Sequence, residues 1–423
     1  MQSHWSDAEA ARVVKTAGTE AANQELALRV YTSQLIGQEQ DLVLHGGGNT
    51  SVKVKRRDAT GAERYVIHVK GSGWDLATIE APGLPGMWLE PLLAARETLN
   101  MTDERMVTFL RSEMLDQHGP TPSVEALLHA FLPQPYVDHT HSAAALVIAN
   151  QPQASKLARE IFSDRLCLVP YVMPGFKLSH AADEIFRGGG TSSEGLFLNN
   201  HGLFSFGEDA KTSYERILRF TTMCEEYLIA QGATLAPPET GTKIETHPPA
   251  VLALGRALRE WDIFSDDPVL DLRSSSTITR YLSLPNLENV ANRGTATPDH
   301  VIRIKPRPVL GAAGFSAADW GEAIKDYVDW YTAYFDRNAL HADEPKTMLD
   351  PLPRVALLRG CGIVGIGRNS KEAGVAADLA EQTARIVLSA EALGEFAPLG
   401  EAELFKMEYW SLEQAKLRKE AEH

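Results

Sequence analysis

Cysteine is scarce in this chain. Only Cys167, Cys224 and Cys361 occur in 423 residues, odd in number and widely spaced. That excludes a disulfide framework as the source of stability, and the absence of any C-x-x-C pair excludes a zinc ribbon. Positive charge is also short, with a formal net charge of −15. Such a balance repels nucleic acid and anionic membrane surfaces. The one basic bunch, Lys53, Lys55, Arg56 and Arg57, reads as a solvated strand end or turn. No apolar run approaches the roughly 18 residues of a membrane span. The opening MQSHWSDAEAARVV lacks the basic-then-apolar layout of a signal peptide. These absences lead to the expectation of a cytoplasmic protein with neither nucleic-acid nor membrane partners.

What is present is an ordinary globular composition on a chain long enough for roughly two to three domains. Residues 7–40 read as helical, with Leu26, Val30 and Leu35 at helical spacing. A strand–turn follows at HGGGNTSVKV, whose glycines permit tight turning, and 64–70 alternates as a strand ending in Gly71-Ser72-Gly73. A helix is expected from about Thr121, with Pro122 in its first turn. Residues 136–141, 166–172, 195–199 and 202–207 read as strands, and 209–230 as a long helix. The Pro-, Thr- and Gly-rich stretch 236–250 reads as a linker. The expected organisation is a first domain over 1–235, the linker, and a smaller second domain over 251–423.

The second domain reads as a partial repeat of the first. GLFLNNHGLFSFGEDAKTSYERILRFTTMCE (195–225) lays over VALLRGCGIVGIGRNSKEAGVAADLAEQTAR (355–385), and RYVIHVKGSG (64–73) over DHVIRIKPRP (299–308). In that alignment Cys361 stands where His201 stands. The second copy has nothing like DHTH or PSVE, so the repeat is expected to be degenerate.

The chemistry-bearing residues lie in the first domain. In the strand Asp138-His139-Thr140-His141, positions i and i+2 share a face, so two imidazoles project together. Two neutral imidazoles on one face suit a borderline divalent metal such as zinc, although a solvated strand edge with two chance histidines has the same pattern. His201, at the strand–turn Asn200-His201-Gly202, is a candidate third ligand. Three histidines with an open position suit a catalytic zinc site, while a lone histidine is more often structural. Asp138 is a candidate to orient a ring nitrogen, unless a regular pleat turns it to the opposite face. Glu125, after Pro122-Ser123-Val124, is placed in the first turn of a helix, as an acid/base or as a residue the helix dipole favours. Ser123 adds a hydroxyl at that N-terminus, which suits phosphate. The loops around Gly46–Ser51 and Gly71–Gly73 are anion-receptive through exposed N–H groups. His129, one turn after Glu125, reads as structural.

Gly360-Cys361-Gly362-Ile363-Val364-Gly365 matches the dinucleotide fingerprint G-x-G-x-x-G. Such a fingerprint starts its helix within the glycines. Here 363–366 still reads as strand and the helix is capped only at Asn369 or Ser370, which disfavours the nucleotide reading.

Taken in order, GGGNTS, VKGSGWDL, PSVE, DHTH and NHG resemble the class II aldolase/adducin family over about residues 20–235. The chain is most similar to the aldolase half of bifunctional aldolase/dehydrogenase members, a resemblance that extends over the second domain to the ending MEYWSLEQAKL. In those proteins this ending leads into a dehydrogenase domain, which is expected to be absent from a chain ending at His423. The resemblance implies an α/β fold, three αβα layers around a mainly antiparallel sheet, followed by the degenerate repeat. It implies Zn2+ or another divalent metal on His139, His141 and His201, Glu125 as acid/base, and phosphate binding by Asn49, Ser72, Gly73 and Ser123. It also implies a homo-oligomer, dimer or tetramer, acting on a small sugar or sugar phosphate. The reaction it implies is cleavage of a ketose, a ketose 1-phosphate first among candidates, through a metal-stabilised enediolate. Sugar-phosphate epimerisation or dehydration and a non-catalytic adducin-like module are the alternatives. Two departures stand out: Val124 occupies a position where the family often has serine, and the family's catalytic tyrosine has no assignable counterpart.

Overall fold

A computed structural model of the chain describes residues 1–98, 100–189, 192–239, 242–261 and 267–412. Gly190, two residues of the expected linker, and the end of MEYWSLEQAKL lie outside the described residues. The chain divides into two compact units, one of residues 1–149 with 153–227, the other of 150–152 with the described residues from 228 onward.

The first unit is built on seven strands: β1 (Asn49–Arg57), β2 (Glu63–Val69), β3 (Gly86–Trp88), β4 (Tyr136–Thr140), β5 (Leu166–Val169), β6 (Gly195–Leu198) and β7 (Gly202–Gly207). They form one sheet in the order β3-β2-β1-β4-β7-β6-β5. Only the β5–β6 pair is parallel, so the sheet is mainly antiparallel, as expected. Helices cover both faces. Thr50 meets Ser33 of helix Ala21–Gly37 on one face, and Ser51 meets His129 of helix Ala126–Phe131 on the other. Adjacent strand residues point to opposite faces, so these two contacts alone define three layers.

Two local expectations are corrected. The single helix expected over 7–40 is two, Asp7–Thr16 and Ala21–Gly37. Gly18 between them takes φ of 88°, the left-handed region that ends a helix. The helix expected from Thr121 begins only at Ala126. Backbone groups of the preceding segment pair instead with the loop after β2: Ser72 N–H donates to Thr121 O and Ser123 N–H to Lys70 O. Groups used in that pairing are not available to a helix.

The second unit has five strands: β8 (Lys243–Ile244), β9 (Val269–Arg273), β10 (Val309–Ala312), β11 (Val355–Arg359) and β12 (Gly362–Gly367). Their order is β10-β11-β12-β9-β8, around a core that includes Trp320, Tyr331 and Ile366. The stretch read as a linker thus supplies β8, which pairs with β9. The strand set β9-β12-β11-β10 reproduces β4-β7-β6-β5, with the outermost pair parallel in both. The match extends to a close backbone approach. A Cβ on Gly202 would lie 2.3 Å from Thr140 O, and one on Gly362 would lie 2.1 Å from Arg273 O. Register then sets Asp271 against Asp138, Leu272 against His139 and Cys361 against His201. The other proposed correspondence fails. Residues 298–304 form a 3-10 turn and a short helix, with Val301 and Ile304 buried and Arg303 exposed, whereas 63–69 is a strand. Pro298 opens that turn, and burial three residues apart selects the helix over the strand that VIRI favours locally.

The G-x-G-x-x-G match falls on the antiparallel β11–β12 hairpin. Its helix starts at Ser370 with Asn369 as N-cap, beyond the last of those glycines and not within them.

Candidate metal and acid/base site

β4 is central in its sheet and all five of its residues are buried. Its register sets Asn49 of β1 and Phe204 of β7 on either side of His139. The Phe204 ring stacks on the His139 imidazole with centroids 4.2 Å apart, which fixes the plane of the ring. His139 Nδ1–H donates to Leu203 O at 3.0 Å, and this leaves Nε2 to carry the ring's lone pair. His141, two residues on, brings its Nε2 to 3.1 Å from that of His139. His201 enters from the β6–β7 turn, where Asn200 takes φ of 53° and reverses the chain. One nitrogen from each of the three rings lies within 4.8 Å of the others, in an arrangement able to hold a metal ion.

Glu125 is the N-cap residue of helix Ala126–Phe131, yet its side chain makes no cap hydrogen bond. Its carboxylate turns to the histidines instead. Oε2 lies 3.5 Å from His139 Nε2, and Oε1 lies 3.7 Å from His201 Nε2. Oε1 is buried and finds no hydrogen-bond partner among the described residues. A desolvated carboxylate oxygen left without a donor, beside three imidazole nitrogens, fits a cation held between them.

The other expected site residues gather on the same side. Asn49 Nδ2 donates to Glu125 Oε2 at 2.6 Å and lies 3.3 Å from Ser123 Oγ. Ser123 Oγ also accepts the Glu125 backbone N–H. Ser72 and Gly73 are exposed, in the turn whose backbone is tied to residues 121–123. Val124 packs against an apolar cluster containing Leu127 and Phe131, so its side chain serves the core.

Asp138 does not orient an imidazole. It points to the opposite face of β4, where Arg29 pairs with it and Ser213 Oγ donates to it; both charged side chains are fully buried. The reason is the regular pleat, which separates adjacent positions. Three residues contact this group in ways the sequence reading did not assign: His129, read as structural, Lys53, read as solvated, and Ser51, read as part of an anion-receptive loop. His129 Nε2–H donates to Asn49 Oδ1, its Nδ1 accepts from Ser51 Oγ at 2.7 Å, and burial holds the ring neutral by driving its pKa well below the ordinary histidine range. Lys53 donates to the carbonyls of His129, Leu132 and Gln134, capping the C-terminus of the helix that Glu125 begins. The signal was the polar period-two stripe Asn49-x-Ser51-x-Lys53 on β1.

Residues 28–228 match the class II aldolase and adducin N-terminal domain, and residues 249–417 match the aldolase class II second domain. An uncharacterized oxidoreductase of Bacillus subtilis (strain 168), YuxG, is 31% identical over 406 residues. That alignment covers 92% of this chain, and the chain spans 57% of the relative's length. Among solved structures, the N-terminal class II aldolase domain of a conserved protein from Thermoplasma acidophilum is 37% identical, with a TM-score of 0.48, covering 54% of this chain and 99% of that one. A sugar-phosphate aldolase from Thermotoga maritima is 15% identical, with a TM-score of 0.37 and coverage of 51% and 97%. With both of its units matched by domains of one family, the chain belongs to the class II aldolase/adducin family.

Proposed function

We propose that the protein is a metal-dependent lyase that cleaves a ketose, a ketose 1-phosphate first among candidates, at the bond between the carbon beside the carbonyl, which keeps the electron pair as an enediolate, and the next hydroxyl-bearing carbon, which loses its hydroxyl proton and leaves as an aldehyde. The observation that carries this reading is the Glu125 carboxylate held 3.5 and 3.7 Å from two nitrogens of a three-histidine group. His139, His141 and His201 would hold a divalent cation, zinc being well suited, which supplies Lewis acidity toward a substrate carbonyl and its neighbouring hydroxyl. Glu125 is close enough to that site to deliver a proton to, or remove one from, the carbon beside the carbonyl. Burial keeps water from competing with the carboxylate. The exposed Gly73 N–H, with the Ser72 and Ser123 hydroxyls, offers donors to a phosphate, whose binding would orient the reacting end.

The test is elemental analysis combined with a cleavage screen on phosphorylated and free ketoses. Glu125→Gln is expected to lower turnover by about 10² to 10⁴ while leaving metal content unchanged. His139→Ala is expected to strip the metal. A Glu125→Gln enzyme with full cleavage activity, or a His139→Ala protein with full metal occupancy, would overturn the assignment. An adducin-like scaffold would bind no metal and cleave nothing.

A further inference from the structure

We propose that Phe204 is a positioning residue that holds the His139 imidazole in the plane from which its Nε2 reaches a metal shared with His141 and His201. This rests on the reading of those three histidines as metal ligands.

The outer torsion of a histidine side chain is broad, so an imidazole needs outside contacts to keep one orientation. Its nitrogen lone pair lies in the ring plane, and a ring that rocks out of plane carries the lone pair away from the metal. Strand β7 supplies His139 with two contacts from consecutive residues. Leu203 O accepts the Nδ1–H at 3.0 Å, which pins one edge of the ring. One hydrogen bond still leaves the ring free to rock about that edge. The Phe204 ring, 4.2 Å away between centroids and inclined by only 16°, blocks that motion on its side. His141 and His201 meet the same imidazole edge-on, at 73° and 81°, so its plane sets the directions from which three nitrogens converge. Phe204 is itself held fast. It is fully buried, in a cluster with Leu128, and its ring lies 5.4 Å from that of His129. Leu128 and His129 belong to the helix that Glu125 caps, so one ring touches both a ligand and the helix of the acid/base.

The second unit separates this duty from the needs of the sheet. There β12 meets β9 as β7 meets β4, with Val364 opposite Leu272 where Phe204 stands opposite His139. Both members of the stack are aliphatic in that copy, although the close glycine approach between the strands is kept. Strand pairing therefore makes no demand for an aromatic at this position. The phenyl ring accompanies the imidazole.

The experiment measures Co2+ binding to the full-length protein. Competition with a chromophoric chelator reads affinity, and the visible absorption of the bound ion reads its coordination geometry. Phe204→Leu keeps an apolar side chain and removes the ring plane. It is expected to weaken Co2+ binding about tenfold, the low end of the loss seen when a group that orients a ligand is removed, and to alter the absorption. Phe162→Leu is the control for lost packing, since Phe162 is also fully buried and contacts Phe197 and Phe220 away from the histidines. It is expected to lower the unfolding midpoint while leaving Co2+ affinity and absorption as in the wild type. Wild-type affinity and absorption in Phe204→Leu would overturn the proposal and leave the three ligands standing. An equal loss of affinity in Phe162→Leu would also overturn it, because binding would then follow stability alone. Wild-type protein that takes up no Co2+ would sink the ligand reading instead. The crystal structure of Phe204→Leu would still judge the stack in that case: an unmoved His139 imidazole shows that Phe204 does not hold it.

Discussion

Asp138 and His139 are neighbours with opposite duties, and β4 assigns them through its pleat. His139 faces Glu125, while Asp138 closes a buried ion pair with Arg29 behind the sheet. A buried pair adds little net stability when intact, but removing one partner strands a desolvated charge. Asp138→Ala is therefore expected to cost about 3 to 5 kcal/mol, measured by urea unfolding. A loss below about 1 kcal/mol would mean that Arg29 finds water or another acceptor. The pairing of His139 with His141 was legible at this scale because H-x-H in a strand is a local pattern. The direction of Asp138 was half legible, since the alternation was plain while its partner lies over a hundred residues away.

At the scale of elements, close backbone approach decides where strands may meet. The Cβ-free Gly202 lets β7 sit against Thr140 of β4, and Gly362 lets β12 sit against Arg273 of β9. Ala at either position is expected to lower stability by about 1 to 3 kcal/mol, read as a shift in the unfolding midpoint. Unchanged midpoints would show that these strands part easily. The β2–β3 edge carries a pH dependence of its own. His68 donates from Nδ1 to Leu84 O, and burial, the largest cause, lowers its pKa from about 6.5 to about 4. The unfolded chain then binds more protons than the fold between those two values. Stability from this group is whole above pH 6.5 and falls as pH drops to 4, by about 3 kcal/mol in total. His68→Gln is expected to flatten that limb of a stability–pH profile; an identical slope in the variant would locate the titration elsewhere. Element boundaries were less legible than their existence. The segment 121–124 reads as a helix start from Pro122 alone, whereas residues 121–123 pair with the loop after β2.

Over the whole molecule, one strand set is used twice, while among the described residues the three-histidine group occurs once. Both units keep the strand set with a parallel outer pair, but the second carries Leu272 and Cys361 where the first carries His139 and His201. Among the described residues, a single group of three ligands meets the geometry for a metal. Elemental analysis is expected to give one divalent ion per chain, unchanged by Cys361→Ala. Two ions per chain, or a loss on replacing Cys361, would restore a second site. Among the described residues no helix is long and apolar enough to cross a membrane.

The sequence by itself determined the period-two placement of His139 and His141, the repeated β-hairpin before a long helix, and the polar stripe Asn49-x-Ser51-x-Lys53. All of these are set by neighbours a few residues apart, where backbone geometry dictates which side chains share a face. Only the tertiary structure decided that the stripe meets His129 and Glu125, and that 243–244 joins a sheet as β8. Those outcomes depend on strand order and register across the fold. Many local patterns are compatible with a given chain, and burial of polar groups selects the one in which each donor finds an acceptor.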